Sequence, residues 1–139
     1  MREPVLTAAE LTAFLDEVFP QVRGAMVIEA VGPMTTRMRM PITEVHLRPG
    51  GTVSGPTMFT LADCAFYVAV LAMIGREPLT VTTNLNINFL RKPAVADLIG
   101  EARILKLGRS LAVGDVTLTS DGDARPVAHA QATYAIPQR

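Results

Sequence analysis

Residues 49–75 contain a single formal charge, Asp63, set in the run Met58-Phe59-Thr60-Leu61-Ala62-Asp63-Cys64-Ala65-Phe66-Tyr67-Val68-Ala69-Val70-Leu71-Ala72-Met73-Ile74. A helix made of this run is apolar almost all round, and such a helix has to be enclosed on most sides. The rest of the chain must therefore supply a wall that surrounds one helix. An ionised carboxylate in that company is costly unless something binds it or uses it. Asp63 is expected to face a cleft or a subunit seam, and it is the first candidate for chemistry. The uncharged part of the run, residues 64–74, falls short of the roughly 20 residues that cross a bilayer, so no membrane partner is expected.

The flanking sequence reads as that wall. Thr7 followed by Glu10 has the form of a capping box, and Leu11, Phe14, Leu15, Val18 and Phe19 recur at helical spacing until Pro20. This predicts an amphipathic N-terminal helix within residues 1–20. Residues 25–30 and 35–42, separated by Val31-Gly32-Pro33, read as a strand hairpin in which Met38 and Met40 face a core while Arg37 and Arg39 face water. Residues 44–56, rich in Gly and Pro, read as the connection to the long helix, placed at 55–75. Four strand-like runs follow, at 81–90, 98–107, 111–120 and 125–136, the last three joined by tight turns at Gly108 and Asp121-Gly122. In the first of them Val81, Thr83, Leu85, Ile87 and Phe89 alternate with Thr82, Asn84, Asn86 and Asn88, which predicts an apolar face turned to the helix. With no repeat or linker, the expectation is one α+β domain over 1–139, an antiparallel sheet curled around a long central helix.

Composition removes several classes of function. Thirteen basic residues balance thirteen acidic ones, so there is no net field to gather nucleic acid. The single cysteine, Cys64, excludes an intrachain disulfide, and Met-Arg-Glu-Pro-Val lacks the pattern of a signal peptide, so a cytoplasmic location is expected. His46 in a loop and His129 in a strand share no ligand spacing with a partner, so neither a metal nor another cofactor is expected.

Two segments carry a family resemblance. Gly55-Pro56-Thr57-Met58-Phe59-Thr60-Leu61-Ala62-Asp63-Cys64-Ala65-Phe66 is similar to a helix start with a Leu-Ala-Asp-x-Ala core, and Asn86-Ile87-Asn88-Phe89-Leu90-Arg91 to a strand ending in Phe-Leu-Arg-Pro. With the element order, they resemble the hotdog fold and, within it, PaaI-type acyl-CoA thioesterases of the 4-hydroxybenzoyl-CoA thioesterase-like superfamily. The resemblance implies that Asp63 acts on the thioester as general base or nucleophile. It implies that a backbone N–H at the helix start, at Gly55 or its neighbour, polarises the thioester carbonyl. Thr82 matches a position where relatives carry a small residue or a hydroxyl near the water. Arg91, Arg109 and Ser110 lie at strand ends where similar proteins bind the phosphates of CoA, and a guanidinium fork suits phosphate. Many relatives have His-Gly-Gly at the helix start and an Asn shortly before it, where this chain has Ser54-Gly55-Pro56 and Arg48. Ser54 is either the N-cap of the helix or a hydroxyl that holds water or the carbonyl.

One inference needs no family. Eight residues of helix rise by roughly 12 Å, so one acyl carbonyl cannot touch both Gly55 and Asp63 of the same helix. If both take part they come from two copies of the chain, which predicts a homodimer with shared sites; the resemblance implies the same, or a tetramer of such dimers. The expected function is hydrolysis of an acyl-CoA to acid and thiol. The alternatives are a non-catalytic acyl-CoA or lipid-binding module, and a hydratase or dehydratase, against which counts the absence of His from the long helix.

Overall fold

The computed structural model describes residues 2–138, so the two terminal residues of the expected 1–139 domain lie outside the described residues. Helix α1, Ala8–Val18, opens on the capping box: Thr7 Oγ1 accepts from Glu10 N–H and the Glu10 carboxylate accepts from Thr7 N–H. Strands β1, Val27–Gly32, and β2, Thr35–Met40, form the hairpin. Its turn begins two residues later than expected, at Pro33-Met34, with Val31 and Gly32 still in the strand. Pro33 supplies a fixed φ, and Met34 takes the left-handed conformation at φ 61° that closes the turn. Met38 and Met40 are buried, while Arg37 and Arg39 lie on the outer face in ion pairs with Glu29.

The connection at 44–56 is more ordered than a plain loop. It holds a 3-10 turn, Glu44–His46, and a two-stranded ribbon, β3 (Leu47–Arg48) with β4 (Thr52–Val53). It leads into α2, Gly55–Ile74, followed by β5 (Val81–Phe89), β6 (Leu98–Leu107), β7 (Leu111–Ser120) and β8 (Pro126–Ala135). The six long strands make one antiparallel sheet in the order β1-β2-β6-β7-β8-β5. The last three strands are sequential neighbours, as their tight turns predict. Strand β5 pairs with β8 at the far edge, since the 90–97 connection is long enough to carry the chain across the sheet.

The sheet curls around α2 and buries Leu61, Ala62, Ala65, Phe66 and the whole turn from Val68 to Met73. Contact is closest at Gly114 of β7, where an added Cβ would lie 2.6 Å from the Phe66 ring and 2.0 Å from the Arg103 carbonyl oxygen. Only glycine lets that ring reach the sheet. By length and composition the 20-residue α2 matches a membrane span, but most of it is buried by its own sheet. One stripe stays uncovered: Phe59 and Thr60 are exposed, and Asp63, Cys64 and Tyr67 partly so. Helical spacing puts these residues on one face, so the single charge of the helix occupies the face the sheet leaves free.

The apolar face expected for β5 needs correcting. Val81 and Phe89 are exposed, and only Leu85 and Ile87 pack against the core. A bulge at Thr83 shifts the register, so that Thr82 pairs with Tyr134 and Asn84 with Thr133. The extra residue puts Thr82, read from the sequence as part of the outer polar face, on the same inner side as Leu85.

Candidate active site

Asp63 lies at the level where α2 passes the β5–β8 edge. Its Oδ1 accepts from Thr82 Oγ1 at 2.7 Å and from the Tyr134 hydroxyl at 2.5 Å. The Tyr134 oxygen is also 2.9 Å from the Asp63 main-chain carbonyl, but its one proton serves one acceptor at a time, and a carboxylate is the stronger. Burial, reinforced by the neighbouring Asp63 charge, pushes the Tyr134 phenol well up, so it stays a donor. Among the described residues, Oδ2 of Asp63 has no hydrogen-bond partner. One oxygen is thus held by two hydroxyls while the other is available.

These groups line a pocket of about 250 Å³ together with Cys64, Tyr67 and Thr80. Thr80 Oγ1 is the one buried side-chain polar atom without a partner among the described residues. A buried hydroxyl left in that state usually has a water or ligand to meet, and the pocket offers the space for one. Cys64 is not a competing nucleophile: burial, with Asp63 beside it, pushes its thiol up to about 12.

The helix start builds a different surface. Ser54 caps α2: its Oγ accepts from Thr57 N–H at 3.3 Å and lies 2.8 Å from Thr57 Oγ1. Met58 N–H is bonded to the Ser54 carbonyl and Pro56 has no N–H. Among the described residues, Gly55 therefore carries the free donor of the first turn, and it opens onto a groove of about 560 Å³ shared with Arg48, Phe89, Arg91 and Lys92. The cap makes a prediction: Ser54→Ala lowers stability by about 1 kcal/mol, read in chemical denaturation, because Thr57 N–H loses its acceptor.

The predicted residues thus fall into separate places. Asp63 and Thr82 share one pocket, while Gly55 and Arg91 share another groove, with Ser54 beside them in the cap. Arg109 and Ser110 lie in the β6–β7 turn, at the sheet end where Leu111 and Val81 both pair with Ala135. That is the Asp63 end of the sheet, opposite Arg91. Tyr134 is the site residue that sequence reasoning misses. Its signal is there: in the inward series Ala128, Ala130, Ala132, Tyr134 it alone carries a hydroxyl, and a buried tyrosine hydroxyl requires a partner.

Comparison with known proteins supplies the family. Residues 50–127, more than half of the chain, match the family model described as the thioesterase superfamily. A human protein named acyl-coenzyme A thioesterase 13 is 27% identical over 116 residues, covering 83% of this chain and 82% of that protein. A crystal structure from Silicibacter sp. TM1040, of a protein with a provisional thioesterase name, superposes with a TM-score of 0.91 at 53% identity over 98% of this chain and 95% of the other. The PaaI protein of the E. coli phenylacetic acid degradation operon gives a TM-score of 0.81 at 20% identity, with 94% of each chain covered, a likeness of fold. The six-stranded sheet wrapped on α2 is the hotdog fold expected from the sequence, and the chain belongs to the thioesterase superfamily of hydrolases.

Proposed function

We propose that the protein hydrolyses acyl-CoA thioesters with Asp63 as general base. The observation that carries this is the asymmetry of the Asp63 carboxylate, whose Oδ1 is fixed by Thr82 and Tyr134 while Oδ2 remains unpartnered in a pocket. A base needs an oriented lone pair and a place for water beside it, and the unsatisfied Thr80 hydroxyl marks polar space in the same pocket. In the proposed step Oδ2 takes a proton from water as its oxygen bonds to the thioester carbon. The C–S bond then breaks and the departing sulfur recovers the proton.

The carbonyl oxygen, negative in the intermediate, needs donors, and we assign that role to Gly55 N–H at the positive end of α2. The roughly 12 Å of helix between Gly55 and Asp63 makes the donor that of a second protomer. The edge strand β5 supports such pairing: it is nine residues long, hydrogen-bonded on one side only, and exposes Val81 and Phe89. Edges of that kind are left open where another chain covers them. The basic groove of Arg48, Arg91 and Lys92 next to Gly55 suits the phosphates of CoA. Acyl-CoA is also the substrate class in the name of the human relative.

A hydratase would need an imidazole beside the carboxylate. His129 instead pairs with Asp115 at 3.1 Å, and Arg103 holds the same carboxylate, on the other side of the sheet. Following thiol release from aryl, short, medium and long acyl-CoA esters tests the proposal. Release from at least one class is expected, and no release from any, by protein that still binds them, leaves the binding-module reading.

A further inference from the structure

A second cavity, of about 310 Å³, lies between α1 and α2 and is lined by Leu15, Met26, Ile28, Met38, Tyr67 and Val68. It exists because α1 is anchored by only two buried side chains, Leu11 and Phe14. The chain then turns away through Pro20–Val22 and Gly24, at φ 77°, before re-entering the sheet at β1. Its walls are apolar, and polar groups appear at the outer rim, where Arg23 faces Asp16 at 4.0 Å. The cavity adjoins the Asp63 pocket, because Phe19, Cys64 and Tyr67 line both.

We infer that this cavity receives the acyl group of the substrate and selects an apolar chain of medium length. The inference rests on the proposed thioesterase reading and deepens it. Among the described residues of one protomer, the apolar space that adjoins a carbonyl placed beside Asp63 is this cavity, reached past Tyr67 and under α1. The volume lies at the low end for small-molecule pockets, which suits a medium chain better than a long one. Past the rim, further methylenes meet water and the Arg23–Asp16 pair and gain nothing. Each methylene that does enter is expected to raise kcat/KM about fourfold, the kinetic equivalent of burying one CH₂.

Two measurements test this. With acyl-CoA esters from acetyl to palmitoyl, kcat/KM should climb and then level off. Met26→Trp, which fills the cavity, should lower the decanoyl-to-acetyl ratio of kcat/KM at least tenfold, and Met26→Ala should shift the plateau to longer chains. An unchanged ratio in a folded Met26→Trp, or an unmoved plateau in Met26→Ala, overturns the inference. The second readout needs no turnover, so it separates this inference from the catalytic one. In protein labelled with [¹³C-methyl]methionine, the Met26 and Met38 resonances should move on adding the non-hydrolysable thioether S-decyl-CoA and stay in place with S-methyl-CoA. Resonances unmoved by bound S-decyl-CoA reject the cavity as acyl pocket even if the enzyme hydrolyses thioesters. Shifts in a protein that releases no thiol keep the pocket and reject hydrolysis.

Discussion

Asp63→Asn is expected to lower kcat for thioester hydrolysis by about 10²–10⁴-fold, the usual contribution of a positioned general base. The substitution keeps shape and removes basicity. An amide oxygen in place of Oδ1 still accepts from Thr82 and Tyr134, so the contacts at 2.7 and 2.5 Å have a partner in the variant. What changes is the atom in place of Oδ2, which becomes an NH₂ with no lone pair for a proton. The melting temperature should therefore stay within a few degrees of the parent while turnover collapses. Thiol release with a saturating acyl-CoA and a thermal melt of the same preparation check both halves. Turnover within about twofold of the parent would refute the role of Asp63, and a collapsed melt would instead mark it as a structural carboxylate.

How much of this was legible in the sequence depends on how local each determinant is. The α1 cap needed only Thr7 and Glu10, and α2 needed only its own composition, so both were readable without knowing what they pack against. The tight turns at Gly108 and Asp121-Gly122 likewise fixed β6, β7 and β8 as neighbours. Asp63 was visible for the same reason, as a charge in the wrong company. Of its two partners, Thr82 came only through the family resemblance and Tyr134 not at all. Thr82 turns inward because one extra residue bulges at Thr83, and that bulge is defined by pairing with β8, about fifty residues away in sequence. Tyr134 reaches Asp63 across 71 residues, through the same pairing. The cavity under α1 lay further from view still, since a void belongs to no residue and follows from how three elements fail to close.

The shared site makes the second strong prediction, through Gly55→Pro. Ser54 is already extended, at φ −74° and ψ 154°, as a residue before proline must be. Proline is favoured at the first helical position, where its fixed φ costs nothing. A Cβ at position 55 would lie 3.3 Å from the Phe89 ring, a contact that a shift of that ring by a few tenths of an ångström relieves. The variant therefore removes little except the N–H proposed to face the carbonyl oxygen. Loss of one such donor costs about 10²–10³ in kcat. Gly55→Pro and Asp63→Asn should thus each be nearly inactive as homodimers. Combined in one dimer, they leave one site with both lesions and the other with none. Co-expression with two affinity tags, giving random assortment, should recover about a quarter of the parent activity, since half of the dimers are mixed and each mixed dimer holds one intact site. Purified mixed dimers that stay inactive would show that Asp63 and Gly55 do not meet across a seam. A parent enzyme that sediments as a monomer while turning over would exclude the shared site as well, because roughly 12 Å of one helix would then have to be bridged within a single chain.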